Sequence, residues 1–138
     1  MKLTAGQIES KVYEILSSSL LKTTIGGKIY KEGTRPLDSK NEDIVISFVS
    51  GQDNQIQTGI VIVNAYVPDI DNGANKGVRI KNVGRCEELE EALNTFSESI
   101  SIYEDFNFKT DKTIQTYKED NIQQHFINLR LKYKRSTI

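Results

Sequence analysis

Two aspartates one residue apart, Asp69 and Asp71, follow the apolar run QIQTGIVIVNAY and stand in the loop VPDIDNGANKG. Carboxylates so spaced at a strand end can share a hard divalent cation, and Lys76, five residues beyond the second acid, would then stabilise charge on a scissile phosphate. The same stretch has a plainer use, because Pro, Asp, Asn and Gly are the residues of an exposed turn. An EF-hand is excluded: Gly73 stands at the third ligand position and Ile80 where the closing glutamate belongs. Residue chemistry alone leaves the metal site and the turn both open.

The remaining chemistry is sparse. Cys86 and His125 would form a thiolate-imidazole pair only if the fold joined them. Cys86 lies on an apolar helical stripe, where a free cysteine behaves as a small hydrophobe. His125 opens the inward set of a strand, a common place for a hydrogen-bonded core histidine. There is no serine-centred nucleophile motif, glycine-rich phosphate cradle or zinc spacing, which weighs against an ordinary hydrolase or nucleotide enzyme. No cofactor is expected.

Charge is balanced overall and separated locally. Among 138 residues, 18 Lys and Arg face 19 Asp and Glu, so no global field draws the protein to nucleic acid or anionic lipid. Yet Glu87, Glu88, Glu90 and Glu91 cluster on one segment, while Arg130, Lys132, Lys134 and Arg135 form a basic end with no acid after Asp120. Basic residues on alternate strand positions make a stripe, suited to phosphates, to an acidic protein surface, or simply to protecting a sheet edge. The stripe Arg130, Lys132 and Lys134 carries no aromatic on its own alternating positions, a weak pattern for nucleic acid. Glu87 and Glu90 on one copy and Arg130 and Lys132 on the next would instead pair in a head-to-tail contact of the kind that closes rings.

The elements that position these residues follow from periodicity. Between Thr4 and Leu21, Ile8, Val12, Ile15, Leu16 and Leu20 recur at helical spacing, and Thr4 with Gln7 matches a capping box. The segment KIYKEG reads as a short strand after Gly26-Gly27, and Pro36 suits an irregular loop. Asp43 to Ser50 and Gln55 to Tyr66 read as an antiparallel hairpin. A second helix is expected from Val83 to Ser99, with Cys86, Leu89, Leu93, Phe96 and Ile100 as its apolar stripe. Period two then returns: Phe106 and Phe108, Thr113 to Tyr117, a turn over 118–121, and a last strand from Ile122 to Lys134. On that strand His125, Ile127, Leu129, Leu131 and Tyr133 alternate with Phe126, Asn128, Arg130, Lys132 and Lys134.

The expected fold is α+β: one domain over residues 1–138, with an antiparallel or mixed sheet of about five strands and two helices on one face, in the order α-β-β-β-α-β-β. Both faces of the hairpin are apolar, with Ile44, Ile46 and Phe48 opposite Val45 and Val49, and Ile60 and Ile62 opposite Val61 and Val63. Two helices can cover one face only, so the other calls for a neighbouring subunit or a folded-over strand. A lone cysteine fits a reducing compartment, no apolar run is long enough to cross a bilayer, and no secretion leader is expected at the N-terminus.

Two resemblances bear on function. The run Asp69-Ile70-Asp71-Asn72, with Lys76 one position further along than the motif has it, resembles part of the D-x-D-N-x-x-K acidic motif of small phage-type Holliday-junction resolvases. That resemblance implies metal-dependent cleavage of branched DNA, with Glu104-Asp105 as the further acidic pair. A second resemblance covers nearly the whole chain. The amphipathic N-terminal helix, GGKIYKEGTRP, VIVNAYVPD, RCEELEEALNTF and the closing QQHFINLRLKYKR together resemble the tail-completion or tail-terminator proteins of tailed bacteriophages. It implies a non-enzymatic virion protein, assembled in the host cytoplasm, that forms a ring, commonly a hexamer, between the tail tube and the head connector, with DNA passing through and no membrane partner. Loops 32–42 and 68–79, the latter carrying Asp69, Asp71 and Lys76, would be contact arms, and Glu87, Glu90, Arg130 and Lys132 the subunit contact.

Overall fold

The computed structural model describes residues 1–71, 73 and 77–138. Helix α1 (Ala5–Ser17) begins at the expected capping box: the Gln7 amide donates to Thr4 Oγ1 (3.2 Å), and the Thr4 amide donates to Gln7 Oε1 (2.9 Å). Its stripe of Ile8, Val12, Ile15 and Leu16 is buried, but Leu20 does not extend it and stands 84% exposed. The serines end the helix early. Ser18 Oγ donates to Glu14 O and Ser19 Oγ to Leu16 O, offering the last carbonyls side-chain partners in place of a continuing ladder. A single further turn, α2 (Leu21–Thr24), buries Leu21 in Leu20's stead.

The sheet grows outward from the central pair β3 (Ile56–Pro68) and β7 (Gln124–Ser136), which run antiparallel along their whole length. On the β3 side lie β2 (Ile44–Gln52), antiparallel, and then β1 (Ile29–Lys31), parallel. The expected hairpin is present, with Val49 as an extra bulged residue where the register passes from Phe48↔Val61 to Ser50↔Ile60. On the other side of β7, β5 (Phe106–Thr110) pairs its C-terminal half, β6 (Gln115–Glu119) pairs its N-terminal half, and β4 (Ile102–Tyr103) flanks β5. Among the described residues there are thus seven strands and three helices, where about five and two were expected. The difference lies in short pieces: the one-turn α2, the two-residue β4, and the split of one edge into β5 and β6.

Helix α3 (Val83–Ser99) has the expected bounds. Asn82 caps it, accepting from the Arg85 amide (3.3 Å), and Cys86, Leu89, Leu93 and Phe96 face inward. With α1 this helix covers one face of the sheet, where Ile44, Ile46, Val61, Val63, Ile127, Leu129 and Leu131 join a continuous core. A paired glycine slot completes it. Gly51 and Gly59 face each other across β2 and β3, and the Tyr133 ring lies against them. A Cβ on Gly59 would stand 2.5 Å from the Tyr133 hydroxyl and 2.4 Å from Ser50 O.

The opposite face carries no helix among the described residues. It presents half-buried Ile60, Ile62, Tyr66 and Phe126, more exposed Val49 and Tyr117, and nearly buried Val45. Tyr66, Phe126 and Tyr117 are direct cross-strand neighbours, their ring centroids 5.6 Å apart in each adjacent pair. This is the sheet side for which the residue pattern demanded cover.

Candidate functional site

The acidic loop leaves β3 beside the start of β7. The Asp69 amide donates to Gln123 O (2.9 Å), and an Ile70↔Ile80 bridge closes the loop's base. Beyond the end of β3 the two carboxylates part, although strand parity would have placed them on one face. Asp69 is 6% exposed, and its Oδ1 accepts from His125 Nδ1 at 2.6 Å, while Arg79 donates to its carbonyl (3.1 Å). Asp71 is exposed and caps its own turn by accepting from the Gly73 amide (2.8 Å). Lys76, the third residue of this contact-loop set, lies outside the described residues. Among the described residues no group of three or more His, Cys, Asp or Glu side chains is placed to hold a metal ion.

The further acids of the junction-nuclease reading are elsewhere. Asp105 receives Arg135 at the far end of β7 (2.6 Å), and Glu104 receives Lys11 (3.0 Å). His125, the partner of Asp69, and Arg135 are ten residues apart on one strand, about 33 Å. Neither Glu104 nor Asp105 can therefore share a cation with Asp69 in the same chain.

The Cys86–His125 pairing is likewise replaced. The imidazole Nδ1 is committed to Asp69, and burial pushes the Cys86 thiol above its usual range, opposite to what a thiolate nucleophile requires.

The charged surfaces are partly neutralised from within. Arg130 Nε donates to Asp111 Oδ2 (2.7 Å), and Lys132, whose side chain is 61% exposed, stands 3.8 Å from the same carboxylate. Arg135, grouped with the stripe in sequence, points inward to Asp105 and Gln57. In its place Lys109 of β5 joins the exposed cations, directly opposite Lys132 and diagonal to Lys134, two register positions away. On α3, Glu90 accepts from Thr116 Oγ1 (2.7 Å) and Glu88 from Arg85 (2.9 Å), whereas Glu87, Glu91 and Glu98 are exposed. Arg85 also grips Glu42 through Nε and Nη2 (2.8 and 2.9 Å), holding the Glu42 carboxyl below its usual range and clamping α3 to the segment before β2.

Loop 32–42 is latched to the sheet by a network the residue pattern did not announce. Arg35 Nε donates to Asp43 Oδ2 (2.9 Å), its Nη2 donates to Gln124 Oε1 (2.9 Å), and its guanidinium lies 4.2 Å over the Tyr66 ring. Asp43, 1% exposed, also accepts from the Lys28 amide (2.8 Å) and from Ser39 Oγ. Two open clefts flank the latched loop. One, of about 420 Å³, lies toward Asp69, Arg79 and Gln124, and the other, of about 340 Å³, toward Val45, Asn64 and Tyr66.

Compared with models of known protein families the chain matches none, and no curated protein is significantly similar to it.

Proposed function

We propose that the protein is a structural component of a bacteriophage head-tail junction, a ring of identical copies that completes the tail and joins it to the head connector. The observation that carries this reading is the sheet face without a helix among the described residues, whose Val49, Ile60, Ile62, Tyr66 and Phe126 are too apolar for a surface meant to face water along its length. A neighbouring copy supplies the cover. Charge supports the packing of this face on the next copy's helical layer: Lys132, with Lys109, Lys134 and the Asp111-paired Arg130, lies on the open face, while Glu87, with Glu91 and the Thr116-bonded Glu90, lies on α3. Because the two surfaces differ, the contact is heterologous and closes into a ring, with six copies the expected number by the family resemblance.

In this reading the work is geometric. One rim of the ring meets the tail tube and the other meets the connector, through loops 32–42 and 68–79 with Asp69, Asp71 and Lys76, and DNA passes through the opening. Nothing in the mechanism calls for bond breaking. The junction-nuclease alternative loses support from the separation of its acids along β7.

Native mass measurement tests the proposal, together with electron microscopy of phage tails made with and without the protein. A closed ring, and tails that fail to stop or to join heads in its absence, is the expected outcome. A protein that stays monomeric and leaves tails unchanged overturns it.

A further inference from the structure

Resting on the ring reading above, we infer that loop 32–42 is the arm that locks neighbouring copies together, its Leu37 seated in a groove between α2 and α3 of the next copy. Leu37 and Leu20 are the two most exposed leucines of the chain, at 95% and 84%. They stand on opposite layers. Leu37 borders the cleft that includes Val45, Asn64 and Tyr66 of the open sheet face, whereas Leu20 borders a groove of about 550 Å³ on the helical layer. That groove is floored by Leu21, Ala92 and Phe96, with Glu88 and Glu91 among its walls.

A leucine presented to water on an irregular loop would ordinarily cost little and mean little. Here its carrier is held by a buried ion pair, a glutamine and a cation-π contact, while a turn from Pro36 O to the Ser39 amide (3.1 Å) sets Leu37 at the corner. A preorganised loop loses little conformational freedom on docking, which is what such an investment serves.

The occupant is a second copy of this chain because the two faces are opposite in charge, and the exposed leucine of one finds an apolar groove on the other. The open face carries the exposed cations Lys109, Lys132 and Lys134, of which Lys132 also stands 3.8 Å from Asp111, with Lys40 on the arm itself. The helical layer carries Glu87, Glu91 and Glu98, and Glu91 belongs both to this acidic row and to the groove. Of the arm's three acids, Glu42 is paired with Arg85 and Glu32 accepts from Ser47 Oγ, which leaves Asp38 beside Lys40, so the positive charge of this side comes from the sheet lysines.

The test combines a cysteine pair with a charge variant. In Leu37→Cys/Ala92→Cys, mild oxidation should yield a ladder of covalent oligomers, absent from either single variant beyond symmetric dimers of the Leu37→Cys protein. Leu37→Asp, at a solvent-exposed position, should unfold like the wild type yet weaken assembly at least about tenfold. Assembly by the wild type together with undiminished assembly of Leu37→Asp and no ladder overturns the arm while leaving the ring intact. A wild type that stays monomeric overturns both.

Discussion

Tyr133→Phe should make the protein more stable. The Tyr133 hydroxyl is buried with no hydrogen-bond partner among the described residues, pressed into the slot that Gly51 and Gly59 leave open. Burial also pushes this phenol above its ordinary range, so it stays protonated at neutral pH and the unmatched group is a neutral hydroxyl. An unsatisfied buried polar group costs about 1–3 kcal/mol, and removing only the oxygen keeps the ring and its edge contact with Phe106, 6.1 Å between centroids. Taking the low end, a gain of about 1 kcal/mol against an unfolding entropy of about 2.1 cal/mol/K per residue raises Tm by about 3 °C. Gly59→Ala provides the opposing control, since its methyl meets Ser50 O at 2.4 Å and the hydroxyl at 2.5 Å, and a loss of about 1–3 kcal/mol is expected from overpacking. Both are read by urea titration at constant m-value and by calorimetry. A Tyr133→Phe protein destabilised by 1 kcal/mol or more would refute the argument, since it would mean the oxygen makes a bond that the slot geometry excludes.

Asp43→Ala leaves Arg35 unpaired beside a buried site, and a loss of about 3–5 kcal/mol is expected in denaturant unfolding, along with faster proteolysis within loop 32–42. The Glu42–Arg85 clamp gives a pH signature. Because the folded-state Glu42 carboxyl is depressed below its ordinary value of 4.5, its stabilisation is present above that value and is lost as pH falls through the lower folded value. Arg85→Met should therefore shrink the fall in stability between neutral pH and the acid limb, measured as Tm against pH. Asp71→Asn keeps a side-chain oxygen for the Gly73 amide and should change stability by no more than about 0.5 kcal/mol, with no magnesium-dependent cleavage of branched DNA in either protein. Cleavage abolished by that substitution would restore the nuclease reading.

What could be read from residues alone was whatever repeats locally. The bounds of α3 follow from Asn82 and an unbroken three-four stripe, and the two faces of β7 follow from strict alternation. The same alternation already assigned Arg135 inward, since it shares parity with Leu131 and Tyr133. Grouping it by charge with Lys134 hid that. The early end of α1 was harder, because apolar spacing continued to Leu20 while Ser18 and Ser19 competed for the helix carbonyls.

The contacts that redefine the candidate site were not legible, because they join residues far apart in sequence. Asp69 meets His125, and Arg35 meets Gln124, only once β3 and the loop before β2 are laid beside β7. Lys109 entered the basic surface in the same way, through the pairing of β5 with β7. Periodicity predicts which face a residue takes and says nothing about which distant residue it meets there.

The central claim is that a second copy covers the open sheet face. Ile62 lies near the middle of that face, between Ser47 and Arg130 on the flanking strands, and analytical ultracentrifugation of the wild type beside Ile62→Asp tests the claim most directly. The account predicts a closed multimer for the wild type and a folded monomer for the variant. A wild type that sediments as a monomer at every concentration, or a variant that assembles equally well, would contradict it.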